Sequence, residues 1–271
     1  MKKILLIISL AVLTFSCDKI EKDNYFDESI QTFEYTNRNV LLMEMTAFRC
    51  NNCPPASKEA DRIIKLHQGK VIGMNVHASS LADPQKASDP ILFNNASIGL
   101  WNKSGRPDLP SGMINYFGTS TNFNNSFISW ASDIEEELKI ETHLNITLDT
   151  DTLGNNNFSV AVNLEYVGNQ LENERLAVYL VEDGVIGRQL DGANEINDYV
   201  HNHITRETLS DISGVEIFES LGVGDTKIEQ FDFTLPAAIE NQNNVKVVAI
   251  VFNPSNDYIY QVNEVDLIEE E

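Results

Sequence analysis

Patterned sequence begins with Val40-Leu41-Leu42-Met43-Glu44-Met45-Thr46-Ala47, an almost continuous apolar run of the kind that forms a strand buried on both faces. From Pro54 to His67 the apolar positions Ala56, Ala60, Ile63, Ile64 and Leu66 follow a helical period, and Gly69-Lys70 ends it as a helix C-terminus would. Val71 to His77 predicts a second buried strand and Ile91 to Trp101 a second helix. After the loop Gly105-Arg106-Pro107-Asp108-Leu109-Pro110, residues Ser111 to Phe117 read as a strand. Phe127 to Ile140 reads as an amphipathic helix with Phe127, Trp130, Ile134 and Leu138 on one face. Strand and helix in alternation predict an α/β unit.

After residue 142 the texture changes. Leu144, Ile146 and Leu148 alternate with polar residues, as do Phe158, Val160, Val162, Leu164 and Tyr166, which is the period of half-buried antiparallel strands. Further strands are predicted at Leu176 to Val181, Ile228 to Leu235, Val245 to Phe252 and Tyr258 to Val262. Turn signals such as Gly154-Asn155, Asp183-Gly184 and Gly224-Asp225 separate most of them. Short strands at this density predict an all-β sandwich of immunoglobulin-like type. The stretch from Asp183 to Gly224 is too long for a hairpin, and no internal repeat is present.

The N-terminus carries a different pattern. Lys2 and Lys3 precede an apolar run from Ile4 to Phe15, long enough for the core of a signal peptide and too short for a bilayer span of about 20 residues. The run ends in Leu13-Thr14-Phe15-Ser16-Cys17, which resembles a bacterial lipobox. That resemblance implies cleavage after Ser16 and a lipid on Cys17, hence a membrane anchor. The expected organisation is a signal at residues 1–16, a charged tether at 17–30, an α/β domain at 31–141 and a sandwich at 142–271. With 41 Asp and Glu against 19 Lys and Arg, the surface repels phosphate, which argues against nucleic acid as a partner.

Only three cysteines occur. With Cys17 assigned to lipid, Cys50 and Cys53 can pair only with each other or with a partner protein. A strand running into Cys50-Asn51-Asn52-Cys53 and then a helix places the first sulfur near free backbone N–H groups and the positive end of the helix dipole, which favours a thiolate. Cys50 is therefore expected to be the exposed, attacking sulfur and Cys53 the resolving one. Pro54 suits the first helical turn. A zinc site would need two more ligands, and His67, His77, His143, His201 and His203 are distant in sequence. A haem attachment would need His after Cys53, where Pro54 stands. No cofactor is expected. A static disulfide remains the competing reading.

The segment resembles the thioredoxin superfamily. The resemblance implies a thioredoxin-like fold for residues 31–141, with Glu44 as a buried acid relaying the proton of the resolving cysteine. It also implies that Leu109-Pro110-Ser111 is the loop whose cis proline, Pro110, packs across the dithiol. Arg49 and the Asn51-Asn52 pair depart from the superfamily's usual residues, which leaves the redox potential open. The lipobox, the two halves and Tyr199-Val200-His201-Asn202-His203-Ile204-Thr205-Arg206 together resemble a Bacteroidetes family of outer-membrane lipoproteins named for a twenty-eight-kilodalton outer membrane protein. Its implied location is the outer membrane, and adhesion is proposed for some members. His201 and His203 lie two apart and on a strand would share a face, able to bind metal or sense pH. Alternatively they dock the long connection through hydrogen bonds, with Arg206 pairing a carboxylate. Two functions follow as expectations: thiol-disulfide exchange with envelope protein thiols or disulfides, or surface binding with the first half as scaffold.

Overall fold

Val40–Thr46 forms β1 with every residue buried, and Val71–His77 forms β2, buried throughout in the same way. In this computed structural model residues 35–117, 123–124, 126–217, 220–239 and 241–268 are described; Cys17 and its tether lie outside them. β1 and β2 pair in parallel from Val40↔Val71 to Thr46↔His77. Parallel neighbours need a crossover, and α1 (Cys53–Leu66) supplies it. Its buried face, including Ala56, Ala60 and Ile63, packs on Val40, Leu42 and Val71.

The second helix, α2 (Asn95–Lys103), starts four residues later than its apolar pattern suggests, because Asn94 and Ser97 form a reciprocal capping box. β3 (Ser111–Ile114) runs antiparallel to β1 with Glu44 opposite Gly112, and β4 (Phe123–Asn124) borders it. A short 3-10 turn over Phe127–Ser129 leads into α3 (Trp130–Glu137). The fully buried indole of Trp130 lies over Gly112, where an added Cβ would come within 2.5–2.8 Å of the ring. Only glycine fits that contact.

β5 (Leu144–Gly154) and β6 (Asn157–Tyr166) form a hairpin, to which β12 (Thr226–Thr234) adds an edge. Their apolar positions, Leu144, Ile146, Val160, Val162 and Leu164 among them, face alternate residues of β7 (Arg175–Glu182) and β13 (Val245–Phe252). β14 (Ile259–Asp266) continues from β13. Between β7 and β12 the chain makes β8 (Val185–Asp191), β9 (Asn194–His201), β10 (Ile204–Thr208) and the short β11 (Val215–Glu216).

Here the structure corrects the expected fold class, an α/β thioredoxin-like domain followed by an immunoglobulin-like sandwich. The protein is mostly β, and one sheet runs through both parts in the order β14-β13-β7-β10-β2-β1-β3-β4, with β11 on β7. The junction is β10 beside β2, parallel, at Ile204↔Asn75. Asn75 N–H donates to the His203 carbonyl at 2.6 Å and the Asn75 side chain donates to the Asn202 carbonyl at 2.9 Å. Leu41, Met43, Met45, Ile72 and Met74 share one core with Tyr179, Val181, Val248, Ile250, Phe252 and Val262. Burying a side chain of this size stabilises by roughly 1.5–3 kcal/mol, so exposing five of them would cost about 10 kcal/mol, the scale of a whole domain's stability. Tyr35–Glu271 accordingly forms one compact unit. Strand periodicity reports which face is buried and not which edge is paired, which is why the junction escapes a local reading.

Candidate functional site

The turn that joins β1 to α1 holds a Cys50–Cys53 disulfide with the two Cα atoms 5.4 Å apart. Cys50 N–H donates to the Ala47 carbonyl at 3.0 Å and Cys53 N–H to the Cys50 carbonyl at 3.3 Å, so the four residues form a tight backbone turn. Asn52 occupies the N-cap position without a side-chain cap, and Pro54 and Pro55 fill the first helical turn. The Leu109–Pro110 peptide bond is cis in the loop entering β3, and Leu109 packs against the disulfide with Ala47, Ala82 and Phe93.

The structure does not leave Cys50 exposed, as the sequence suggested. Cys50 keeps 4% of its surface and Cys53 1%. One side is closed by the 3-10 turn at Ser80–Ala82, whose Leu81 carbonyl accepts from Arg49 N–H and whose Ser80 carbonyl accepts from the Arg49 guanidinium. The β8–β9 hairpin closes another. Leu190 N–H donates to the Phe48 carbonyl at 2.8 Å and Gly192 N–H to the Asn51 carbonyl at 2.9 Å. The Gln189 amide donates to the Cys50 carbonyl at 3.2 Å and to the Ala47 carbonyl at 3.4 Å.

Beneath the turn, on the face of β1 that meets α1, lies the fully buried Glu44. Ser57, one helical turn after Cys53, donates to Glu44 Oε1 at 2.8 Å. Burial pushes the carboxyl up to about 8; the Ser57 hydrogen bond opposes this, the Asp61 charge adds to it, and Thr46 eases it slightly, although Oε2 itself has no hydrogen-bond partner. Glu44 is therefore a neutral acid at pH 7. The Tyr199 hydroxyl also reaches Ser57, and burial together with Glu44 and Asp61 pushes it to about 12.

Thr46, Ser57, Asn75, His77, Tyr199 and His201 line a cavity of about 10 Å³. That is the room of a single water and excludes an organic ligand. His77 and His201 meet edge to face at 5.4 Å, and the Tyr199 ring lies tilted against His201 with the centroids 4.9 Å apart. Burial holds His77 well below the usual range, with His201 and Arg206 adding to the effect. Burial also lowers His201 to about 4, against the hydrogen bond its Nε2 makes with the Arg188 carbonyl. Both rings are neutral at pH 7.

His201 and His203 do not share a face. His201 ends β9, whereas His203 adopts a positive φ of 56° and turns to Asp183, 3.2 Å from its Nδ1, and to Asp61. Arg206 Nε lies 2.5 Å from Glu182, both buried, and Nη1 donates to the Ile91 carbonyl. No group of three or more His, Cys, Asp or Glu side chains among the described residues could hold a metal ion. Ser57 and Gln189 escaped the sequence reading, while His77 entered it only as a distant zinc candidate and Tyr199 only as the start of the histidine segment. Ser57 stands four residues after Cys53 and was legible from helix spacing, whereas nothing local marks Gln189.

The family model described as outer membrane protein Omp28 matches residues 94–271. Comparison with curated protein sequences returns no match. Among solved structures, HBP35 of Porphyromonas gingivalis superposes with a TM-score of 0.68 at 17% identity, over 89% of this chain and 78% of that one. A protein of Agrobacterium tumefaciens gives 0.49 at 15% identity, over 89% of this chain and 98% of that one. A domain of the outer membrane lipoprotein Omp28 of Porphyromonas gingivalis gives 0.36 at 20% identity, over 48% of this chain and 92% of that one. Of the three, the first supports the fold.

Proposed function

The chain belongs to the Omp28 outer membrane protein family and resides in the outer membrane, and from there we propose that it is a lipoprotein, anchored through Cys17, whose Cys50–Cys53 disulfide exchanges with protein thiols of the envelope. The observation that carries this reading is Glu44. A buried carboxyl, joined through the Ser57 hydroxyl to the Cys53 carbonyl, costs stability, and its hydrogen bond to Ser57 does not restore an ordinary pKa. As a proton store it has a use. A disulfide closing so short a loop removes little chain entropy, worth about 2 kcal/mol in the loop-closure account, and so makes a weak staple.

In the proposed exchange a partner thiolate attacks Cys50 Sγ, the Cys50–Cys53 bond breaks, and Cys53 leaves as a thiolate that Glu44 can protonate. The partner's second thiolate then attacks the partner sulfur of the mixed disulfide and releases Cys50. Two electrons have passed from the partner dithiol to this chain, and the partner is oxidised. Pro110 places Leu109 against the disulfide, where an incoming chain would meet it.

The burial of both sulfurs favours a second reading, a surface binding protein in which the disulfide is structural. Insulin reduction driven by dithiothreitol separates the two: Cys50→Ser should fall to the uncatalysed rate, and equal rates for variant and wild type leave the binding protein. For the anchor, metabolic labelling with a fatty-acid analogue should mark wild type and spare Cys17→Ala; label retained in the variant refutes it.

A further inference from the structure

We propose that the β8–β9 hairpin is an intramolecular latch, which lies on the backbone of residues 47–51 where an extended partner chain would lie and which must lift before the disulfide exchanges. Its purpose rests on the exchange reading above, while its test does not.

Leu190, near the end of β8, and Gly192, in the turn after it, donate to the Phe48 and Asn51 carbonyls, backbone-to-backbone bonds of the kind an added chain would make. Gln189 adds its amide to the carbonyls of Ala47 and Cys50. Every carbonyl named belongs to the disulfide turn or the residues leading into it. The hairpin nevertheless forms a two-stranded sheet of its own, separate from the large one. Both of its feet carry left-handed backbone, Gly184 with φ 74° before β8 and His203 with φ 56° after β9, and hinge motions concentrate in such element-terminal residues.

What holds the latch down is local. Arg188 Nε sits 2.7 Å from Asp89, a pair almost wholly withdrawn from water, and the Arg188 guanidinium lies 5.3 Å from the centre of the Phe48 ring. Gly187 admits Pro90, which a side chain there would strike at 2.7 Å. At the rim, Lys86 pairs with Glu195 at 2.9 Å with both side chains substantially exposed. A lifted hairpin breaks two backbone bonds, the Gln189 bonds and the Asp89 pair, and on its β9 side draws Tyr199 from Ser57 and His201 from His77. Lifting uncovers the Phe48 and Asn51 carbonyls for a partner strand.

The test follows reduction of Cys50–Cys53 by dithiothreitol in the full mature chain in detergent, trapping the freed thiols with iodoacetamide. The reagent's two thiols become its cyclic disulfide as the protein disulfide becomes two thiols. Losing one hydrogen bond changes an opening equilibrium by about fivefold, so Gln189→Ala should be reduced at least about fivefold faster, and Asp89→Asn faster still. Lys86→Ala should stay within about twofold, since an exposed pair contributes little. Rates for Gln189→Ala and Asp89→Asn within twofold of wild type overturn the latch. Hydrogen exchange on wild type guards against variants that fail to fold: the Leu190 and Gly192 amides should be protected, and exchange at unprotected rates also overturns it. A small dithiol reports access whether or not any protein partner exists. Loss of the insulin activity difference would therefore defeat the exchange reading and leave the latch standing.

Discussion

Replacing Glu44 with Gln keeps the shape and the Ser57 hydrogen bond but removes the ionisable group, and the result is a pH-dependent difference in stability. The carboxyl titrates at about 8 in the folded protein against 4.5 when free, so the folded state binds its proton more tightly than the unfolded state does. The stabilising contribution of that proton is complete below pH 4.5 and is lost as pH rises through 8. A tenfold difference in proton affinity between the two states is worth about 1.36 kcal/mol, so between pH 5 and pH 9 wild type should lose about 4 kcal/mol that Glu44→Gln does not. Urea unfolding of the oxidised proteins at unit steps from pH 5 to 9 measures this. The gap between variant and wild type should widen steadily in favour of the variant and flatten above pH 8. A gap that stays constant with pH would refute the assignment of Glu44 as a buried, neutral acid, and the proton-store role would fall with it.

Other outcomes follow from the packing. Gly112→Ala forces a methyl into the Trp130 indole and should destabilise by about 1–3 kcal/mol, read as a lowered Tm. Arg206→Ala breaks the buried ion pair with Glu182 and should cost about 3–5 kcal/mol, with much of the loss recovered in the double variant Arg206→Ala, Glu182→Gln; additive losses would contradict the pairing. His201 is lowered to about 4 from 6.5, so its stabilising contribution is present above pH 6.5 and lost as pH falls towards 4, by about 3 kcal/mol; His201→Gln should remove that share of the acid limb of the stability profile and leave the share of His77. Residues 31–141 expressed alone should lack a cooperative unfolding transition by circular dichroism, because their core is completed by Tyr179, Val248 and Phe252.

Elements that bury a regular face were legible in the sequence. Val40–Thr46 and Val71–His77 carry unbroken apolar runs, and Leu144, Ile146, Val160 and Val162 alternate as the observed strands do. The β8–β9 hairpin was not, since Val185-Ile186-Gly187-Arg188-Gln189-Leu190-Asp191 and Asn194–His201 have no apolar face of their own and are held by backbone bonds and the Arg188–Asp89 pair. The same blindness explains Cys50, whose cover comes from residues 139 to 142 positions away and from a loop that no periodicity marks. His201 and His203 were read as one face because strand spacing assumes an extended backbone, which the left-handed turn at His203 breaks. Glu44 was legible as a position, but its chemistry depends on Ser57 and on burial beneath α1, which only the packed structure supplies.

The meeting of β2 and β10 also sets an order of assembly. The edge of β2 that receives Ile204 is made early in synthesis, and its partner follows more than a hundred residues later. Until then the strand presents unpaired amides and carbonyls, a template for pairing with any other chain. Loop closure over that distance is slow, and non-local parallel pairing is slower still. For a chain carried to the outer membrane, late completion of the sheet makes the interval before Asn75 closes onto His203 the period in which the protein is most open to pairing with other chains and most needs a chaperone.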